Sequence, residues 1–322
     1  MSRAPLTGTI VVVNPASAGG RTRQRWHENA GVLGRLGVDA EVVMTTSPGS
    51  ATTLVRAALR RGTRRVVSFG GDGTLNEVVN GFFDESGEPL GAGAALCVVP
   101  SGSGGDFGRT AGIARSPADA LRVLAGEETR AIDAGRIDFD DGARRYFLNV
   151  ADCGIGGEVV ARVNRSRFKG GGVRGSAVFL WQSLATLMQY RGGEVRVTID
   201  GVPVQRAVQS VVIANGRFFG GGMHIAPGAR LDDGVFDVVI IEALGRLRSM
   251  TAMPSLYRGT HVRRPEVEVR RGRVIRVEHL ARPLLFDVEG EQVGSTGATL
   301  TCLPGAIRLC VTTATGPAAS SA

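Results

Sequence analysis

The chain has 322 residues, 43% of them hydrophobic, and a formal net charge of +8. This length accommodates two domains, and the apolar share is ordinary for a globular protein. Lys169 is its only lysine. That excludes the G-x-x-x-x-G-K-[ST] phosphate loop and the strand lysine of protein kinases, so a cation on a nucleotide must be arginine or metal.

The first third alternates strand and helix. Thr9–Val13 reads as a strand, 21–36 as a helix, 40–44 as a strand, and 50–61 as a helix capped by Ser50. A strand at 65–69, a helix at 74–83 and a strand at 94–99 follow. Ser116-Pro117 opens a further helix that Gly126 stops. This order predicts a parallel sheet with helices on both faces, its ligands beyond the carboxyl ends of the strands. The loops 14–20, 70–73 and 100–106 are expected on that edge. After Arg130, short β-type runs are separated by Asp141-Gly142, Asp200-Gly201 and Asp233-Gly234, which reads as antiparallel hairpins. A basic segment, 165–174, precedes an apolar helix at 176–190. That helix reads as a core cover or as a lipid-facing flap. The end, 312–322, is of low complexity and is expected to be disordered.

Within this frame GGDGTLNEVVNG, 70–81, carries the most chemistry. Glycines bring backbone N–H groups close to an anion, and the helix start adds partial positive charge. Asp72 inside such a loop would repel phosphates unless it meets a metal, accepts N–H bonds or takes a proton, so phosphate chemistry with Mg²⁺ is expected. A capped strand–turn–helix corner is the plain alternative. Asn14 and Ser17 in NPASAGG, 14–20, are suited to a phosphate or ribose. In PSGSGGDFGR, 100–109, Ser103 and Arg109 are suited to a phosphate. FDVEGE, 286–291, puts Asp287, Glu289 and Glu291 at alternate positions, which one strand face would gather, unless Gly290 breaks the strand. LDDG, 231–234, reads as a turn or as a Mg²⁺ ligand set. The histidines are dispersed. Cys97, Cys153, Cys302 and Cys310 lack metal-type spacing and read as buried thiols of a reduced cytosol. The apolar run from Ile10 to Val13 is too short for a signal peptide. No run approaches ~18 apolar residues, so only peripheral membrane contact is expected. The positive balance favours nucleotides or an acidic membrane surface. With 5% aromatics and no basic run among stacking residues, nucleic acid is not an expected partner.

Taken in order, NPASAGG, GGDGTLNEVVNG, PSGSGGDFGR, APGARLDDGVFDVVII (226–241) and FDVEGE resemble the diacylglycerol kinase catalytic domain in its soluble bacterial lipid kinase form. That group includes sphingosine and ceramide kinases, and the likeness runs from Thr9 to about Val311. It implies a Rossmann-like α/β nucleotide domain, 1–130, rejoined by about 303–314. It also implies a mainly antiparallel β-sandwich, 131–302, that receives the lipid, and a tail, 315–322. By the same resemblance Asn14, Pro15, Ala16, Ser17, Ala18, Thr45 and Ser103 contact ATP, and Gly70, Gly71, Asp72, Gly73, Thr74, Leu75 and Asn76 hold its phosphates. Asp233 with the carbonyls of Arg230 and Val235 matches a structural Mg²⁺ site. Glu289 and Glu291 match the last acidic motif, whose proton acceptor maps to Glu291, and Asp72 is the other candidate base.

Three departures stand out: Glu289 where the family has Asp, Gly105 where it has Asn, and Ser101 and Ser103 where it has Leu and Thr. The implied function is ATP- and Mg²⁺-dependent phosphorylation of a lipid hydroxyl, foremost that of diacylglycerol, giving phosphatidic acid in phospholipid metabolism. A non-catalytic lipid- or nucleotide-binding member and a kinase for a soluble substrate such as NAD are the alternatives. The expected location is cytoplasmic, peripheral to the inner face of the membrane, with self-association into a homodimer left open.

Overall fold

The computed structural model describes residues 8–102, 105–165, 186, 189–243 and 245–312. The segment 165–174, most of the expected helix 176–190, Ser103 and the tail 315–322 lie outside the described residues, apart from the first residue of that segment and a few positions at the helix end.

In the first half, β1 (Thr9–Val13), β2 (Glu41–Met44), β3 (Arg65–Gly70) and β4 (Ala95–Pro100) form a parallel sheet in the order β2-β1-β3-β4. β1 is a run of β-branched residues buried throughout, as a parallel strand covered on both faces requires. Alternation along it feeds two cores. Ile10 and Val12 pack with Val55, Leu75 and Val78, while Val11 and Val13 pack with Trp26, Val32 and Leu33. The helices α1 (Arg21–Asn29), α2 (Gly31–Arg35), α3 (Ser50–Arg60), α4 (Asp72–Asn80), α5 (Asp106–Ala111) and α6 (Pro117–Leu121) complete this half.

Three local expectations are corrected. The helix expected over 21–36 is two, with Gly31 opening the second. Ser50 does not cap α3. Gly49, at φ 81°, is the N-cap, and the Ser50 hydroxyl accepts from the Thr46 and Ser47 N–H groups of the preceding turn. α4 starts at Asp72, two residues earlier than expected, because the single extended residue Gly71 makes the turn. Ser116 does cap α6, with Pro117 at its first position.

In the second half the strands are β5 (Thr129–Phe139), β6 (Arg144–Phe147), β7 (Val150–Gly154), β8 (Gly193–Ile199), β9 (Val202–Ala214), β10 (Phe236–Glu242), β11 (Val267–Gly272), β12 (Val274–His279), β13 (Leu285–Val288), β14 (Glu291–Ser295) and β15 (Ala298–Cys310). Their mutual pairings are antiparallel. α7 (Ile155–Arg165) and α8 (Arg246–Arg258) pack with them. Asp141-Gly142 and Asp200-Gly201 do sit in hairpin turns, whereas Asp233-Gly234 ends the long connection from β9 to β10. That turn is tied down by Asp133 instead, whose carboxylate accepts from Gly234 N (2.7 Å) and Gly305 N (2.8 Å).

β15 joins the halves. It runs antiparallel to β5 and β12, and after a register shift at Leu303/Ile307 it lies parallel to β4. There Cys310 and Cys97 form a disulfide with Cα atoms 5.0 Å apart, which corrects the expectation of four free thiols; Cys153 and Cys302 are free and buried. The two cysteines are drawn together by parallel pairing of strands 213 residues apart in sequence. Closing so long a loop constrains the unfolded chain. The double variant Cys97→Ala/Cys310→Ala is therefore expected to lose about 2–4 kcal/mol, read as an earlier denaturant midpoint.

Candidate active site

Asn14, Thr45, Gly70–Gly71 and Ser101 all follow parallel strands, so their loops meet on one edge. Thr45 N donates to Val13 O (2.9 Å), and Ser101 N to Gly70 O (2.7 Å). Asn14 Nδ2 donates to Thr74 Oγ1 (3.1 Å), joining the first loop to the first turn of α4. Its Oδ1 accepts from Ala16 N, and Ser17 Oγ donates to Asn14 O; Pro15 lies between, and Ala18 follows in the left-handed region at φ 54°. A Cβ on Gly70 would lie 2.5 Å from Thr74 Oγ1, and one on Gly102 would lie 2.8 Å from Gly71 Cα. Glycine at position 70 makes room for the Thr74 side chain, and glycine at 102 lets the loops after β3 and β4 touch.

Asp72 is the first residue of α4. Its Oδ2 accepts from Gly105 N (2.9 Å). Burial, and then the neighbouring Asp106 carboxylate, push its pKa up, while the Gly105 and Asp106 amides and Arg109 oppose that. A carboxylate held near another carboxylate favours a cation. Gly105 stands at φ 67° as the N-cap of α5. Asn is the side chain that best tolerates this region, so the exchange of Asn for Gly keeps the backbone and its N–H bond to Asp72. Ser101, fully buried, bonds Thr22 Oγ1 (3.0 Å) and through its carbonyl accepts from Arg25. Arg109 pairs with Asp106 (3.3 Å), whose Oδ2 accepts from Gly221 N (2.7 Å). Arg25, Arg109 and Arg115 line a polar cavity of ≈ 400 Å³ beside this loop.

The second half reaches the same place through one hairpin. The expected strand 286–291 is not continuous. Glu289 (φ 54°) and Gly290 (φ 91°) make a two-residue turn between β13 and β14, with Val288 facing Glu291. Two residues at positive φ give the twist that a tight hairpin needs. The three acids therefore do not share a face. Asp287 turns inward, Glu289 is the turn, and Glu291 starts the return strand. Glu289 Oε1 accepts from Leu148 N (2.6 Å) and Asn149 N (2.7 Å), and its Oε2 accepts from Asn76 Nδ2 (3.0 Å). Burial pushes its pKa up to about 7 against these bonds. Glu291 Oε1 lies 3.7 Å from where a Cβ on Gly73 would stand, at the head of α4. Burial, then Glu77, raise its pKa.

Other expected site residues are placed differently. Leu75 is buried in the core. Asn76 donates to Tyr146 O as well as to Glu289, so its amide N–H groups serve the junction of the halves and not a phosphate. Asp233 does not present an open cation site. Its carboxylate pairs with the Arg271 guanidinium, which also faces Asp237 at 3.3 Å, and the Arg230 side chain turns to Asp232. Val235 N donates back to Asp233. These residues do not fit the structural Mg²⁺ that the resemblance implied, because a guanidinium already neutralises the carboxylate. Asp72 does fit a nucleotide-bound Mg²⁺, since a carboxylate in the turn that opens α4 supplies a hard oxygen of the kind this ion takes alongside phosphates.

Residues 8–137 match the diacylglycerol kinase catalytic domain, and residues 149–311 match the YegS C-terminal NAD kinase beta sandwich-like domain. A probable lipid kinase, YegS-like, from Pseudomonas fluorescens is 31% identical over 281 residues, covering 85% of this chain and 86% of the relative. The chain belongs to the diacylglycerol kinase and YegS-like lipid kinase family. A diacylglycerol kinase of Mycobacterium tuberculosis is 29% identical over 282 residues, 86% of this chain and 87% of that one. A crystal structure of a diacylglycerol kinase from Bacillus anthracis shares the fold with a TM-score of 0.68 at 19% identity, covering 95% of this chain and 97% of that one.

Within this lipid kinase fold, two side chains escaped the sequence reading. Asp152 on β7 and Gln209 on β9 are buried polar residues in otherwise small or apolar runs. That contrast was the available signal. Both line an apolar cavity of ≈ 180 Å³ together with Asp287, below the β13–β14 turn.

Proposed function

We propose that this family member is an ATP- and Mg²⁺-dependent lipid kinase that phosphorylates a lipid hydroxyl, diacylglycerol foremost. The observation that carries the reading is Glu291 Oε1 reaching the head of α4, 3.7 Å from the Cβ position of Gly73, the residue after Asp72, with an apolar cavity lined by Asp287 behind the same hairpin. In this reading residues 1–130, with the returning 303–314, hold the nucleotide, and 131–302 hold the lipid.

Backbone N–H groups of Gly70–Thr74 and the start of α4 bind phosphate oxygens, which costs no reorganisation because the glycines fix the loop beforehand. Asn14 and Thr45 orient the nucleotide from the neighbouring strands. Asp72 would hold Mg²⁺, which when bound neutralises charge on the phosphates. Asp72 belongs to the nucleotide side, tied to Gly105. Glu291 belongs to the β-sandwich side, the first residue after the turn, and accepts the proton of the attacking hydroxyl. Its pKa is raised by burial and then by Glu77, the direction that makes a carboxylate a better proton acceptor. Arg109, held by Asp106, sets positive charge beside the nucleotide loop. The lipid is met at an acidic membrane surface by peripheral contact, which the net charge of +8 favours.

The test is transfer of labelled phosphate from ATP, with Mg²⁺, to diacylglycerol in mixed vesicles. Glu291→Gln is expected to lower kcat about 10²–10⁴-fold, the range of general-base help, with the affinity for ATP retained. Absence of transfer to any lipid, alongside saturable phosphorylation of NAD, would replace this reading with a soluble-substrate kinase.

A further inference from the structure

The apolar cavity is bounded by Val159 and Val160 of α7, Val212 of β9, Met223, Ile225 and Leu256 of α8, among others. A chain of methylenes alone would satisfy those walls. It would not satisfy one end of the cavity. There Asp152 on β7 faces Asp287 on β13 in register, and Gln209 stands on β9, the other neighbour of β7. Gln209 is 6% exposed, and neither its Oε1 nor its Nε2 has a partner. Asp152 is 2% exposed; its Oδ2 accepts from Ser210 Oγ (2.9 Å), and its carboxylate also takes the Gly156 backbone N–H. The space for Asp152 is kept by a glycine, since a Cβ on Gly156 would lie 2.2 Å from Oδ1. Buried polar atoms in native proteins are partnered, so the two unpartnered amide atoms of Gln209, beside a buried carboxyl pair, mark a place for a polar ligand group.

Resting on the lipid-kinase reading, we propose that this end of the cavity is a headgroup subsite for a single-chain lipid with a vicinal diol, of the monoacyl- or monoalkylglycerol class, read by Gln209, Asp152 and Asp287. Gln209 offers an acceptor, Oε1, and a donor, Nε2, and the Asp152–Asp287 pair, whose pKa values burial raises, accepts and, when it holds a proton, also donates. Two adjacent hydroxyls present two donors and further acceptors on one small headgroup, whereas a diacylglycerol has a single hydroxyl to give. Burial pushes both carboxyls up, Asp152 to about 7, so the pair need not carry two charges against an uncharged diol. The subsite also adjoins the chemistry. Asp287 Oδ1 accepts from Gly290 N (2.7 Å), in the turn that carries Glu289 and leads into Glu291. His261, whose ring bonds the backbone of Ile225 and Ser255, lies on the wall after α8 and takes no part in this set.

The test is binding to the full chain without ATP, by calorimetry, using 1-O-decylglycerol and its di-O-methyl ether, which share a chain and differ in hydroxyl donors. Wild type is expected to bind the diol about 10–100-fold more tightly, because a site built for hydroxyls rejects an analogue lacking them. Gln209→Leu and Asp152→Asn are expected to bring the two probes within about threefold, with the heat of ATP binding unchanged. Retained ATP binding shows that each variant is folded. Equal affinity of wild type for the two probes, or a preference that neither substitution alters, overturns the proposal. The outcome is separate from that of the lipid-kinase reading. A diol preference without phosphate transfer would leave the subsite standing and remove the enzyme. Phosphate transfer to lipid with no diol preference would do the reverse.

Discussion

Asp72→Asn is expected to lower the rate of lipid phosphorylation about 10³-fold, at the upper end for loss of one preorganised electrostatic group, without lowering the melting temperature. The asparagine carbonyl can still accept the Gly105 N–H that now binds Asp72 Oδ2 at 2.9 Å. It removes a charge that burial and Asp106 both disfavour, so the folded state loses nothing. What goes is the anionic oxygen beside the phosphate loop. Turnover assays together with melting curves check this. A variant that phosphorylates lipid at the wild-type rate would remove Asp72 from the chemistry.

The second large effect is expected at Glu289. Glu289→Ala leaves Leu148 N, Asn149 N and Asn76 Nδ2 without their acceptor. Unpaired groups of this kind cost about 1–3 kcal/mol each when water cannot reach them, and partial hydration at this half-buried turn brings the expected total to about 2–4 kcal/mol. For a chain of this size that is a fall of roughly 5–10 °C in Tm. Turnover should fall with it, because the same bonds set Glu291 against α4. Glu289→Asp, the residue usual in the family, should give a smaller loss. Aspartate sits more easily at φ 54° but reaches ~1.5 Å less. The pH dependence follows from the raised pKa of about 7. Below the unfolded pKa of ~4.3 the group is protonated in both states. As pH rises through 7 the folded state must release a proton it holds more tightly, so stability contributed by this group is lost over that window. Glu289→Gln should lack that slope in pH-resolved denaturant titrations; a slope equal to that of wild type would contradict the assignment.

The parallel half of the fold was legible because β1, β3 and β4 are short apolar runs rich in valine, each followed by a glycine-rich loop. The contact of Gly102 with Gly71 joins two of the loops expected on one edge, 70–73 and 100–106. FDVEGE was harder. Alternating acids imitate a strand face, and only the Glu-Gly pair signalled a turn; Glu is an unusual occupant of positive φ, so the turn was readable only as a possible break at Gly290. The role of Asn76 was illegible, since its partner Glu289 lies 213 residues away. Asp133 was illegible for the same reason, its carboxylate bonding Gly234 and Gly305 from 101 and 172 residues off. The Cys97–Cys310 bond needed knowledge that β15 returns to lie beside β4. Asp152 and Gln209 were visible as polar letters in apolar strands, but their common cavity arises from strand order alone.

Arg271 lies where the family resemblance led us to expect a divalent ion, bridging Asp233 and Asp237. A side-chain cation cannot be stripped by a chelator. Adding EDTA should therefore silence phosphate transfer while leaving the thermal transition where it was, so that the protein's architecture and its catalysis answer to different cations.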